Sequence, residues 1–166
     1  MATVTTNKNY LQPSGFSVSI ERTNYPNLQY FAQSITHPGA SVNPVELPGR
    51  RITSLPFAGD KITYGELQVD FILDEDMESY LEMQNWLERM VNDGNVSTAH
   101  ALQHGLVATF ADITVTILTS HNNANKRIKY KNCIPTNVGS FEMNASQNQT
   151  YITYTSSFRF DTFEIV

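Results

Sequence analysis

Charge is what this chain is shortest of: Asp, Glu, Lys and Arg make up 16% of its 166 residues, well under the ~25% usual in soluble proteins. The charge present sums to −5, so the molecule as a whole repels a phosphate backbone, and only a strong local basic patch would make it a nucleic-acid binder. The best such patch, Lys126-Arg127-Ile128-Lys129-Tyr130-Lys131, alternates in the way the solvated face of an ordinary strand does. Cysteine is limited to Cys133, which excludes an internal disulfide and any argument from one for an oxidising compartment. No run approaches ~18 apolar residues, and the opening MATVTTNKNY lacks an apolar core of signal-peptide length. A soluble protein that engages no membrane is expected.

Chemical motifs are scarce as well. There is no glycine-rich phosphate loop, nucleophile elbow or cysteine–histidine pair of recognisable context. Carboxylates are plentiful, but no spacing selects two as an acid–base pair, so no catalytic residue is assigned and an enzyme is not expected. Asp74-Glu75-Asp76 lacks the glycine and ligand spacing of a calcium loop. His100 and His104 stand four apart without the glutamate of a zinc-protease motif or a third ligand. Neither a metal nor another cofactor is expected.

What fills the composition is uncharged and polar. Thr, Ser, Asn and Gln are interleaved with Val, Ile, Tyr and Phe, a mixture that suits pleated sheet with one wet face. The length fits one domain, read as a polar arm over residues 1–14 and a mainly β fold over 15–166. Phe16, Val18 and Ile20 alternate with Ser17, Ser19 and Glu21, giving a first strand. A turn over Asn24–Asn27 leads to a second strand from Leu28 to Thr36. Lys61–Leu73 reads as one strand, with Leu67, Val69, Phe71 and Leu73 on one face and Glu66, Gln68, Asp70 and Ile72 on the other. Further strands are predicted over 107–119 and 127–134. A long final strand places Ile152, Tyr154, Phe158 and Phe160 opposite Thr153, Thr155, Ser157 and Arg159.

Two segments ask for more than a monomer's needs. Residues 37–60 hold four of the seven prolines, Pro38, Pro44, Pro48 and Pro56, which bars the segment from the middle of a sheet. Yet Val42, Val45, Leu47, Ile52, Leu55 and Phe57 make it too apolar for a solvated linker. Either it folds back over its own core, or its apolar residues meet another chain. The second segment is a helix over 75–92, capped by Asp74. Its apolar residues, Trp86, Met83 and Met90 among them, sweep about 220° where a helix on one sheet needs only about 100°. The helix is sunk in its own domain, or its spare side touches a neighbouring subunit.

LPFAGDKITYGELQVDFILDEDMESYLEMQNWLERM, followed by IKYKNCIPTNVGSFEMN and an alternating aromatic C-terminal strand, resembles the tail tube protein family of contractile-tailed bacteriophages. The likeness rests on Ala58-Gly59-Asp60 before a strand, the acidic helix start with Trp86, and Pro135-Thr136-Asn137-Val138-Gly139. It covers residues 15–93 and 126–166.

The resemblance implies a β-sandwich or small barrel with one flanking helix, six copies forming a ring around a continuous lumen-lining β-barrel, and rings stacking into a tube, as in type VI secretion tube proteins. It implies a structural virion protein of the tail, assembled in the host cytoplasm, that conducts DNA inside a contractile sheath. Its partners would be copies of itself, the sheath, baseplate and terminator proteins, a tape measure protein in the lumen, and DNA passing without sequence-specific binding. Inter-ring or inter-subunit contacts would fall on Val42, Val45, Leu47, Arg50, Arg51, Leu55, Phe57, Trp86 and Met90, with 37–60 as the inter-ring loop. Glu66, Gln68, Asp70 and Glu142 would face the lumen, with Glu164 on another candidate strand. Gly59, Asp60, Pro135, Asn137 and Gly139 would form structural turns, Pro135 ending one strand, although a turn in an isolated domain would read the same way. A tube initiator or baseplate adaptor of the same fold, or a carbohydrate- or receptor-binding β-sandwich, remain alternatives at this point.

Overall fold

Alternation of apolar and polar residues builds most of the molecule. The computed structural model describes residues 10–21, 24–48, 54–91, 110–146 and 151–166. In chain order these form β1 (Phe16–Ile20), α1 (Leu28–Phe31), β2 (Ala32–Thr36), β3 (Ala40–Val42), β4 (Val45–Leu47), β5 (Leu55–Phe57) and β6 (Ile62–Tyr64). There follow β7 (Leu67–Ile72), α2 (Glu78–Met90), β8 (Ala111–Leu118), β9 (Ala124–Val138), β10 (Thr153–Arg159) and β11 (Thr162–Ile165). The histidine pair at 100 and 104 and the predicted strand start at 107–109 lie outside the described residues, as does most of the arm before Tyr10.

Seven strands share one antiparallel sheet, in the order β1-β8-β9-β10-β7-β2 with β11 added on β9. The 15-residue β9 belongs to both halves. Its first part lies between β8 and β11, and its last part, Ile134–Val138, pairs with β10. One long strand thus carries the sheet around a corner, so that the inner faces of the two halves pack on each other as in a sandwich. The path does not close, and β1 and β2 are its free ends.

Val18 and Ile20 from β1, Ile113 and Val115 from β8, Leu67, Val69 and Phe71 from β7, and Tyr154 and Phe158 from β10 fill the space between the halves, all buried. The helix α2 covers this core with Met83 and Trp86, both 0% exposed. Trp86 stacks on Tyr25 with ring centroids 4.3 Å apart and lies 5.7 Å from the Phe158 ring. On its far side Tyr25 accepts a 2.6 Å hydrogen bond from Arg89 Nη2, and burial pushes its hydroxyl up to about 12 against the opposing pull of that guanidinium. The helix therefore buries its Met83–Trp86 face in its own fold, while Leu81 on another side stays 50% exposed. This corrects the assignment of Trp86 as an inter-subunit contact: no part of its side chain is left for a second molecule. Met90 is half-buried and packs against the same core.

The helix begins at Glu78, later than the sequence pattern suggests, because Met77 adopts a left-handed conformation (φ 55°). Asp74 is still the capping group. Its carboxylate accepts hydrogen bonds from Glu78 N at 2.9 Å, Ser79 N at 3.2 Å and Ser79 Oγ at 2.8 Å. Desolvation tends to raise its pKa, but these bonds outweigh it and hold the group below the ordinary value of 3.8. A group with a depressed folded-state pKa stabilises the fold above its unfolded value and ceases to as pH falls through the folded one. Asp74→Ala should cost about 1 kcal/mol in urea unfolding at pH 7, and the gap to the parent protein should close as pH drops below 3.8.

Three strand boundaries differ from the sequence pattern. Leu28–Phe31 form a helical turn, and only Ala32–Thr36 are extended. The turn is held from a distance, since the Glu82 carboxylate accepts from Asn27 N, Asn27 Nδ2 and Leu28 N. Lys61–Leu73 is not one strand but two, β6 and β7, with Gly65-Glu66 between them. The final strand likewise breaks after Arg159 and resumes as β11.

Pro135 does not end a strand. The backbone stays extended through it to Val138, and Pro135 lies opposite Phe158 beside a bulge in β9 itself, where Thr136 is the extra residue between the pairs Ser157↔Asn137 and Phe158↔Pro135. A bulge is one of the few places a sheet tolerates the missing N–H. Thr136–Asn137 accordingly belong to the strand, not to a turn. Gly139 follows it, its N–H bonded to Thr155 O at 2.7 Å; a Cβ there would sit 2.6 Å from that oxygen, so the close approach requires glycine.

Candidate assembly surfaces

Residues 40–48 and 54–64 form an arm rather than a loop. The strands β3 and β6 pair as Ala40↔Tyr64, Ser41↔Thr63 and Val42↔Ile62, and further out β4 and β5 pair as Val45↔Phe57, Glu46↔Pro56 and Leu47↔Leu55. The ribbon has only two strands, so each is an edge strand and Pro56 is admissible within it. Between the two ladders the chains approach so closely that a Cβ on Gly59 would lie 2.1 Å from Asn43 O. Gly59 and Asp60 thus sit opposite Asn43-Pro44 at a break in the ribbon. At the base, Gly65 N bonds Gly39 O at 2.9 Å, and Tyr64 packs on Phe160 and Phe163 with centroids 5.5 and 5.4 Å away.

Cross-strand pairing sorts the arm's side chains by face. In the outer ladder Val45, Leu47, Leu55 and Phe57 fall on one side and Glu46 and Pro56 on the other, because successive side chains alternate. In the inner ladder Val42 and Ile62 are paired in the same way. All six apolar residues are between 45% and 62% exposed. Of the two readings left open for this segment, folding back over its own core does not occur over the described residues. Ile62 extends the set beyond the residues singled out from the sequence; its alternation with Tyr64 was the available signal. Arg50, Arg51 and Ile52 lie outside the described residues.

The second surface is the outer face of the β2-β7-β10 half. Ser34 and Thr36, Gln68 and Asp70, and Thr153 and Thr155 sit side by side across these strands. It is a wall of hydroxyl and amide groups with little charge. Asp70 is held in place by Ser34 Oγ and by Thr155 Oγ1, the latter at 2.5 Å. Gln68 and Asp70 are on this face as the alternation requires, and exposed Glu66 precedes them, within 3.5 Å of Thr136 Oγ1. Glu142 is not on a strand: it lies in the irregular segment after β9, where its Oε1 accepts from Asn144 Nδ2. Glu164 is on β11, bridged to Lys131 at 2.6 Å, and this bond and charge hold its carboxyl below the ordinary value.

The third feature is unpaired backbone. The strands β1 and β2 each have one partner, and β9 has lost β8 by Ala111↔Cys133, so that from Ile134 to Val138 it is bonded on one edge alone among the described residues. Open edges of this kind are templates for another strand.

A family model described as phage tail tube protein matches residues 2–166. No curated protein sequence matches the chain. Among solved structures it is similar to a chain of the anti-feeding prophage cap (AFP tube terminating cap), with a TM-score of 0.70 and 11% identity over 99% of this chain and 95% of that one. A chain of the 6-fold symmetrised anti-feeding prophage baseplate gives 0.64 and 14% over 100% and 97%. A chain of the PVC sheath-tube complex, an extracellular contractile injection system in its extended state, gives 0.57 and 12% over 99% of both. At these identities the likeness is one of fold.

Proposed function

The chain belongs to the phage tail tube protein family, and on that premise we propose that six copies close into a ring and that rings stack into the tube of a contractile tail, through which DNA is ejected into the host. The observation that carries this is the arm, an amphipathic ribbon whose apolar face has no cover among the described residues of its own chain. An isolated two-stranded ribbon is marginal in water, and the natural occupant of such a face is another copy in the next ring. Strand pairing at the open edges would close each ring, every ladder bond adding about 1 kcal/mol net.

The protein in this reading is a structural component of the virion tail, assembled in the host cytoplasm. Its partners are its own copies, the sheath, and the baseplate and terminator proteins at the tube's ends, with a tape measure protein in the lumen until DNA replaces it. Electron microscopy of the purified protein tests the reading: hollow filaments with six-fold end views are expected. Isolated single rings would point instead to an adaptor or terminator role, which the fold it shares with cap and baseplate chains makes the second reading. Monomers that bind glycans would overturn both.

The wall of Thr36, Gln68, Asp70, Thr153 and Thr155, with Glu66 at its margin, is assigned to the lumen. Hydroxyls and a few carboxylates give a phosphate backbone no counterion-releasing cation to hold. Purified tubes should therefore not retain linear DNA at physiological salt in a sedimentation assay. Glu66→Lys with Gln68→Lys should make them do so, in a manner reversed by added salt.

A further inference from the structure

The two ends of the longest strand carry opposite charge. At the start of β9, alternation puts Arg127, Lys129 and Lys131 on the outer face, with exposed Lys126 beside them. Their neighbours across β8 are Thr116, opposite Arg127, and Thr114, opposite Lys129. Lys131 is bonded to Glu164, which is the one ion pair among the described residues. Lys129 stands directly opposite Glu164 across β11, so it shares that one carboxylate with Lys131, and the surface stays net positive; Arg127 and Lys126 make no ion pair among the described residues.

The opposite end is acidic. After Val138 the chain leads to Phe141, whose ring meets Tyr80 in the first turns of α2 with centroids 5.3 Å apart. Thr153↔Ile72 lies three residues beyond the last β9–β10 pair, Ser156↔Val138, and the turn into α2 follows it at once. Exposed Glu75, Asp76 and Glu78 occupy that turn and the helix start. Asp74 is committed to capping, whereas Glu75 and Asp76 make no hydrogen bond or ion pair with the described residues. No ion pair joins the two patches among the described residues.

We infer that the basic start of β9 in one copy is a docking surface for the acidic α2 turn, Glu75 to Glu78, of a neighbouring copy. The occupant is a second copy of this chain because it supplies the complementary charge at a different place on the same molecule. Such a contact is heterologous, which is the kind that builds rings and stacks. It also sets polarity: head-to-tail approach joins unlike charges, and head-to-head approach brings Arg127 and Lys129 against their own kind at a cost. The inference deepens the ring and tube reading and rests on it.

Charge exchange tests it on the full-length protein, with sedimentation and electron microscopy as readouts at low and physiological salt. Arg127→Glu with Lys129→Glu, and separately Glu75→Lys with Asp76→Lys, should each raise the concentration needed for assembly about tenfold or more. All four side chains are exposed, so each double variant should remain folded at the assay temperature, which its unfolding curve checks. Combining the four substitutions should restore assembly to near the parental concentration. Reversals without effect in a parent that does assemble, or a fourfold variant no better than the worse double variant, would overturn this contact and leave the ring reading standing. A parent protein that stays monomeric at all concentrations would overturn the ring reading and this contact with it.

Discussion

Leu47→Asp with Phe57→Asp is expected to yield a soluble, fully folded protein that makes no tubes. Both side chains are about half exposed, 49% and 54%, and belong to a ribbon that, among the described residues, is tied to the rest of the molecule at its base, through Gly39, Tyr64 and Gly65. Their loss removes nothing from the core, so the urea midpoint of the monomer should stay within about 0.5 kcal/mol of the parent. In an assembled tube the same positions would be desolvated. Covering the exposed half of a large apolar side chain contributes on the order of 1 kcal/mol, and a buried unpaired carboxylate reverses that gain several times over. Repeated at every copy of a ring, the penalty should eliminate elongation rather than slow it. Filaments of normal length from this variant would show that the arm's apolar face is not an interface.

Trp86→Ala should act in the opposite way, on the monomer. The indole is fully buried between Tyr25 and Phe158, and truncating a core tryptophan costs about 3–5 kcal/mol through lost transfer energy and the cavity left behind. Against a total stability of about 5–15 kcal/mol that is a large fraction. The urea midpoint should fall steeply with little change in slope, and much of the chain should be unfolded at growth temperature. Were Trp86 a contact between subunits, the monomer would keep its stability and only assembly would suffer, so one unfolding curve decides between the two roles of this helix.

That choice was not legible in the sequence, and the reason is geometric. A 220° apolar sweep does not say which part of it is buried or against what; the partners Tyr25 and Phe158 lie 61 and 72 positions away in sequence. The core alternation of β7, by contrast, was plain in Leu67, Val69 and Phe71, because period two needs no knowledge of the partner strand. The prolines of 37–60 announced edge-type backbone correctly. The single apolar face depends on the Val45↔Phe57 register, which alternation within either strand does not fix. Pro135 misled for a similar reason: locally a proline breaks a strand, and the bulge at Thr136 that accommodates it exists only against the partners Ser157 and Phe158, more than 20 positions further on. Leu28–Phe31 suit a strand or a helical turn equally, and the decision comes from Glu82, 54 residues away.

The central claim is that copies of this chain cover what the chain leaves bare, and amide hydrogen exchange along the arm measures that directly. In unassembled protein the backbone of residues 40–64 should exchange rapidly for want of a second layer over the ribbon; in purified assemblies it should become as slow as that of β7. Equal, rapid exchange of the arm in both states would contradict the claim, whatever filaments the microscope records.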